Sequence, residues 1–199
     1  MKRFAGVIAA FSILCLSTMA PAADAQKKEK KPRLDRSSRS ASEARTVEYL
    51  TKQVRKELVT IPSFGVFDWL EGNVEPDGIV ELRGEVVRPI TRSDAAKRVE
   101  RIEGVEKLVN KIEVLPLSNY DDQLRQRVYR ALFNSNSPLF YYGRAVIPSI
   151  HIIIKNGRCT LKGVVANKTD SDVAFLRARG VEGLFNVANE LTIERSSRK

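Results

Sequence analysis

Apolar residues recur four apart at Leu50, Val54 and Leu58, and the same stripe returns at Leu124, Val128 and Leu132; this is the spacing of one helix face. After each stripe the pattern changes to strict alternation. Val80, Leu82, Gly84 and Val86 carry it in the first half, and Cys159, Leu161, Gly163 and Val165 in the second, as in a strand with one buried face. Turn chemistry precedes each run and marks the return of a strand before it: Glu75-Pro76-Asp77-Gly78, then Asn156-Gly157, a two-residue hairpin signal. Second helices are predicted at 94–102 and 171–181, with Gly104 and Gly183 near their ends. Closing strands follow at Leu108, Asn110, Ile112, Val114 and at Val187, Asn189, Leu191, Ile193. A strand, helix, strand crossover within one sheet is right-handed. The fold class is therefore α+β: two tandem αββαβ units, each a three-stranded mixed sheet with two helices on one face.

The register of the repeat is strict. Gly78, Gly84, Gly104 and Asn110 reappear as Gly157, Gly163, Gly183 and Asn189, each 79 residues later (157 − 78, 163 − 84, 183 − 104, 189 − 110). A duplicated unit with no duplicated catalytic group points to a binding or structural role, and these positions are read as structural. Gly84 and Gly163 interrupt strand interiors, which marks a bulge or the close approach of a helix. The asparagines fall on the apolar phase and are read as fixing a neighbouring loop or strand end through their amides. The first helices are offset by only 74 (124 − 50), so five extra residues enter the second copy somewhere in 134–149. Cys159 takes the place of an inward Val and is read as a small core hydrophobe, since no base accompanies it.

Residues 1–25 have the form of a signal peptide: Lys2 and Arg3, an apolar run over 4–16, and Ala23-Asp24-Ala25 before the cleavage site. That run is shorter than the roughly 20 apolar residues a membrane span requires. Leu14 stands before Cys15 where a lipobox has a small residue, which argues against lipidation. Cleavage leaves Cys159 as the sole thiol, so no disulfide forms within the mature chain. Residues 26–46 carry eight Lys/Arg against three acidic groups and are read as a basic disordered linker. Residues 47–116, the first copy, hold 11 basic and 13 acidic groups, whereas 117 to the end of the chain holds 13 and 7. The second copy, 117–195, is the one suited to an anionic surface.

These motifs resemble the BON domain family, whose pattern is a hairpin Asn/Asp-Gly-x-Val-x-Leu-x-Gly-x-Val, a helix, then Gly-Val-x-x-Val-x-Asn-x-Leu-x-Val. The first copy supplies Asp77-Gly78-Ile79-Val80-Glu81-Leu82-Arg83-Gly84-Glu85-Val86 and, after its helix, Gly104-Val105 through Asn110 to Val114. The second supplies Asn156-Gly157 through Leu161 and Gly163, then Gly183-Leu184 through Asn189 and Leu191. The resemblance implies a non-enzymatic periplasmic protein of the two-BON kind, associated with envelope integrity, osmotic stress and binding of anionic phospholipid.

Residues for such binding are concentrated in the second copy. Arg125, Arg127 and Arg130 lie off the apolar stripe of its first helix, and Leu139, Phe140, Tyr141, Tyr142 and Arg144 follow within the inserted segment. Arginine holds phosphates in bidentate fashion while aromatic rings settle at the headgroup boundary. The alternative is that the aromatics pack over the sheet or between the copies and the arginines form a solvated face. Phe64, Phe67 and Trp69, around the start of the first strand, are assigned to packing between the copies ahead of an external partner. An enzyme has little support. His151, the only histidine, lies in an apolar strand as an outward or satisfied residue, and no side-chain set has metal or nucleophile spacing. No cofactor, nucleic acid or small-molecule substrate is expected. An adaptor for envelope proteins is the competing class.

Overall fold

The computed structural model describes residues 36–145 and 147–194, with side chains from residue 42 onward; the leader, Cys15 and residues 26–35 lie outside the described residues. Helix α1 (Arg36–Val59) reaches back through 36–46, correcting the reading of that part of the linker as disordered. Ala41, Ala44 and Arg45 are strong helix formers, and Lys52 pairs with Glu48 one turn away at 2.7 Å. Leu50, Val54 and Leu58 are buried beneath it.

Strands β1 (Trp69–Val74) and β2 (Ile79–Val86) form an antiparallel hairpin. Helix α2 (Pro89–Val99) then crosses over, and β3 (Lys107–Val114) lies parallel to β2, giving the order β1-β2-β3. The second copy repeats this with α3 (Asn119–Phe133), α4 (Phe140–Arg144), β4 (Ile150–Lys155), β5 (Arg158–Val165), α5 (Lys168–Arg179) and β6 (Asn186–Ile193), in the order β4-β5-β6. The inserted segment contains α4. Both second helices begin earlier than their apolar pattern. Pro89 opens α2, where its missing N–H is not needed, and Asn167 caps α5 by accepting the N–H of Asp170 at 2.8 Å.

Val80, Leu82 and Val86 of β2, like Cys159, Leu161 and Val165 of β5, are buried in two core clusters together with their helices. Burial pushes the Cys159 thiol up to about 12. Gly84 and Gly163 have φ of +131° and +123°, and a Cβ there would overlap the carbonyl of Trp69 or Ser149. The close approach is thus to the partner strand of the hairpin and not to a helix. Asn110 Nδ2 donates to the Arg92 carbonyl at 3.4 Å and Asn189 Nδ2 to Ser171 Oγ at 3.0 Å, while their Oδ1 atoms accept the N–H groups of Ile112 and Leu191. Each amide ties the last strand to the second helix rather than to a loop or strand end.

Candidate membrane-facing surface

The two copies dock through the outer faces of their sheets and through residues 64–69. Lys155 Nζ meets Glu113 Oε1 at 2.6 Å, Lys162 Nζ meets Glu85 Oε2 at 3.6 Å, and the same ammonium lies 6.0 Å from the centre of the Trp69 ring. His151 is covered, its ring centre 5.2 Å from those of both Phe64 and Trp69 and its Nδ1 3.2 Å from the Gly65 carbonyl. Burial lowers its pKa, partly opposed by those backbone contacts. Phe67 precedes β1; it packs edge-on to Tyr129 and, with Val66, against the core of the second copy. All three aromatics of this region therefore contact the second copy, Phe64 while also packing against the core of the first.

The eight candidate lipid contacts separate into two groups. Arg125 is buried: Nη2 donates to the Ile154 carbonyl at 2.8 Å and Nη1 to Asp122. Leu139 is 0% exposed within the core. Tyr142 donates its hydroxyl to Asp170 Oδ2 at 2.7 Å and accepts the Ala166 N–H at 2.9 Å, fixing α4 to the start of α5; burial and then the Asp170 bond raise its pKa. Arg125 and Leu139 cannot face a membrane, because both are enclosed by protein, and Tyr142 is occupied by structural bonds.

The others reach solvent. Arg127 and Arg130 are exposed on α3, with Arg127 Nη1 donating to the Glu182 carbonyl at 3.5 Å. Tyr141 is 81% exposed at the end of the helical layer. Beside it, half-buried Phe140 carries the Arg144 guanidinium 5.3 Å from its ring centre. Sequence reasoning missed Leu176, 64% exposed on α5. Its signal was present: the buried set Ser171, Ala174 and Ala178 defines the inner face of α5 and leaves Leu176 off it. Arg177, next to it, crosses to α3 by donating to the Ala131 carbonyl at 3.1 Å. Because docking uses the sheet faces, the helical layer of the second copy presents guanidinium groups and apolar side chains outward together.

The sequence pattern of the BON domain matches residues 46–116 and again residues 120–195. The chain belongs to the BON domain family. BON domains are generally non-catalytic binding domains of envelope-associated proteins, and the chain carries two of them in tandem. No curated protein matches the chain. Among solved structures it is similar to CdsD, described as a structural protein of the type III secretion system of Chlamydia trachomatis. That similarity is at 11% identity and TM-score 0.30, over 75% of this chain and 94% of that one. It is also similar to the C-terminal domain of CdsD, at 12% identity and TM-score 0.28, over 72% and 96%. Among the described residues, no helix is long and apolar enough to cross a membrane, and no cluster of His, Cys, Asp and Glu could hold a metal ion.

Proposed function

We propose that this two-BON protein is exported to the periplasm and associates peripherally with anionic phospholipid through the helical layer of its second BON domain, supporting envelope integrity under osmotic stress. The supporting observation is the outward set Arg127, Arg130, Tyr141, Arg144 and Leu176, which combines phosphate-binding cations with side chains suited to the headgroup boundary. Each basic group near an anionic surface contributes about 1 kcal/mol. Reversing Arg127 and Arg130 to Glu therefore removes about 2 kcal/mol and adds repulsion, weakening binding at least roughly thirtyfold. The test is co-sedimentation with phosphatidylglycerol vesicles of the R127E/R130E double variant and of Tyr141→Ser, with circular dichroism showing that both are folded. Unaltered binding by folded variants removes this surface from the account.

A further inference from the structure

The open edges of the two hairpins are treated differently by the fold. In the first, the Glu75 N–H donates to the Ile79 carbonyl at 2.9 Å. Antiparallel pairing alternates from there, so Trp69, Glu71 and Asn73 turn their backbone groups toward β2 and Leu70, Gly72 and Val74 turn theirs outward. In the second, the Val164 N–H donates to the Ser149 carbonyl at 2.9 Å, and the same alternation leaves Ile150, Ile152 and Ile154 outward. That second edge is occupied. The Ile152 N–H donates to the Val66 carbonyl at 2.8 Å, and the Ile154 carbonyl accepts from Arg125 at 2.8 Å.

Ile152 opposite Leu161 corresponds to Gly72 opposite Leu82, and Ile154 to Val74. Among the described residues no hydrogen bond reaches the outward groups of Leu70, Gly72 or Val74. Thr51 stands where Arg125 stands in the second copy (125 − 51 = 74) and turns its hydroxyl back to the Val47 carbonyl at 2.7 Å. Beside this edge runs a groove of about 900 Å³, with Val54 and Leu58 of α1 on one side and Phe64, Trp69 and His151 of the docking interface at the other.

We propose that the open edge of β1 receives an extended peptide segment of a partner protein as an added strand. Backbone donors and acceptors two residues apart are matched by another extended backbone, the geometry of β-augmentation. On the equivalent edge of the second domain a turn of the first copy already supplies one backbone acceptor, the Val66 carbonyl, and the groove is continuous with that interface. Alternate side chains of the guest strand face Val54 and Leu58 and are apolar; those between face exposed Glu71 and are basic or polar.

The probe is a fluorescent peptide, Thr-Val-Lys-Val-Thr-Val, titrated into the folded chain, with amide exchange followed by NMR. Binding is expected to slow exchange at Leu70, Gly72 and Val74 while leaving Glu71 and Asn73, already bonded to β2, unchanged. Methylating the peptide nitrogens that face the edge removes two or three hydrogen bonds and should weaken binding roughly tenfold or more. Absence of saturable binding, protection that does not alternate along β1, or equal binding by the methylated peptide overturns the proposal.

Discussion

Replacing Arg125 with Met keeps most of the side-chain volume and removes the charge and the donors. Arg125 is 3% exposed, bonds the Ile154 carbonyl and Asp122, and its charge also acts on Asp68 across the domain boundary. Its loss leaves the Ile154 carbonyl without this partner on a covered edge, which costs about 1–3 kcal/mol. Asp68, whose carboxyl burial already pushes upward, loses a counter-charge as well. Breaking a buried ion pair usually costs about 3–5 kcal/mol. Here Nε of Arg125 has no hydrogen-bond partner and Asp122 is exposed, so relief of guanidinium desolvation places the loss near about 3 kcal/mol. For a folded unit of this size that lowers Tm by about 6–12 °C. Thermal unfolding followed by circular dichroism reads it, with Arg130→Met, an exposed neighbour on the same helix, expected within about 2 °C of the parent. Equal Tm values for R125M and the parent would refute the structural assignment and return Arg125 to the lipid-facing set.

Gly163→Ala forces a Cβ into the Ser149 carbonyl at positive φ and should cost about 3 kcal/mol or more in urea unfolding, whereas Gly180→Ala, at φ −75° with only ordinary contacts, should change little. His151 supplies a pH dependence. Its folded-state pKa is lowered by burial, so its contribution is present above the unfolded value of about 6.5 and is lost as pH falls from there through the folded value. Asp68, raised by burial, has the opposite sign: its contribution is lost as pH rises through its folded value. Tm measured between about pH 7 and about pH 5.5 should therefore fall more steeply in the parent than in His151→Gln; parallel slopes would remove His151 as the source.

The duplicated glycines and asparagines made the fold legible, because each does in the structure something only its residue type does well. Gly84 and Gly163 admit a neighbouring carbonyl, and Asn110 and Asn189 join strand to helix with both ends of the amide. The identity of those neighbours was not legible, since a sequence shows that something comes close but not what. Helix starts were misjudged where backbone chemistry rather than apolar spacing decides them, at Pro89 and Asn167. Within the candidate surface, three consecutive aromatics read alike in sequence. The fold separates Tyr141, exposed to solvent, from Tyr142, held by Asp170, because α4 places successive residues about 100° apart around its axis. Arg125 and Arg127 diverge in the same way: two positions along α3 turn one side chain onto the edge of β4 and the other toward solvent.

The central claim, that the second BON domain reads an anionic surface, is tested most directly by co-sedimentation of residues 47–199 and 26–199. Each is mixed with zwitterionic vesicles and with vesicles containing phosphatidylglycerol or cardiolipin, at low and physiological salt. The account predicts binding to the anionic vesicles alone, weakened by salt as exposed charges are screened over about 8–10 Å, and retained when residues 26–46 are absent. Binding that disappears with those residues, or that ignores lipid charge, would contradict it.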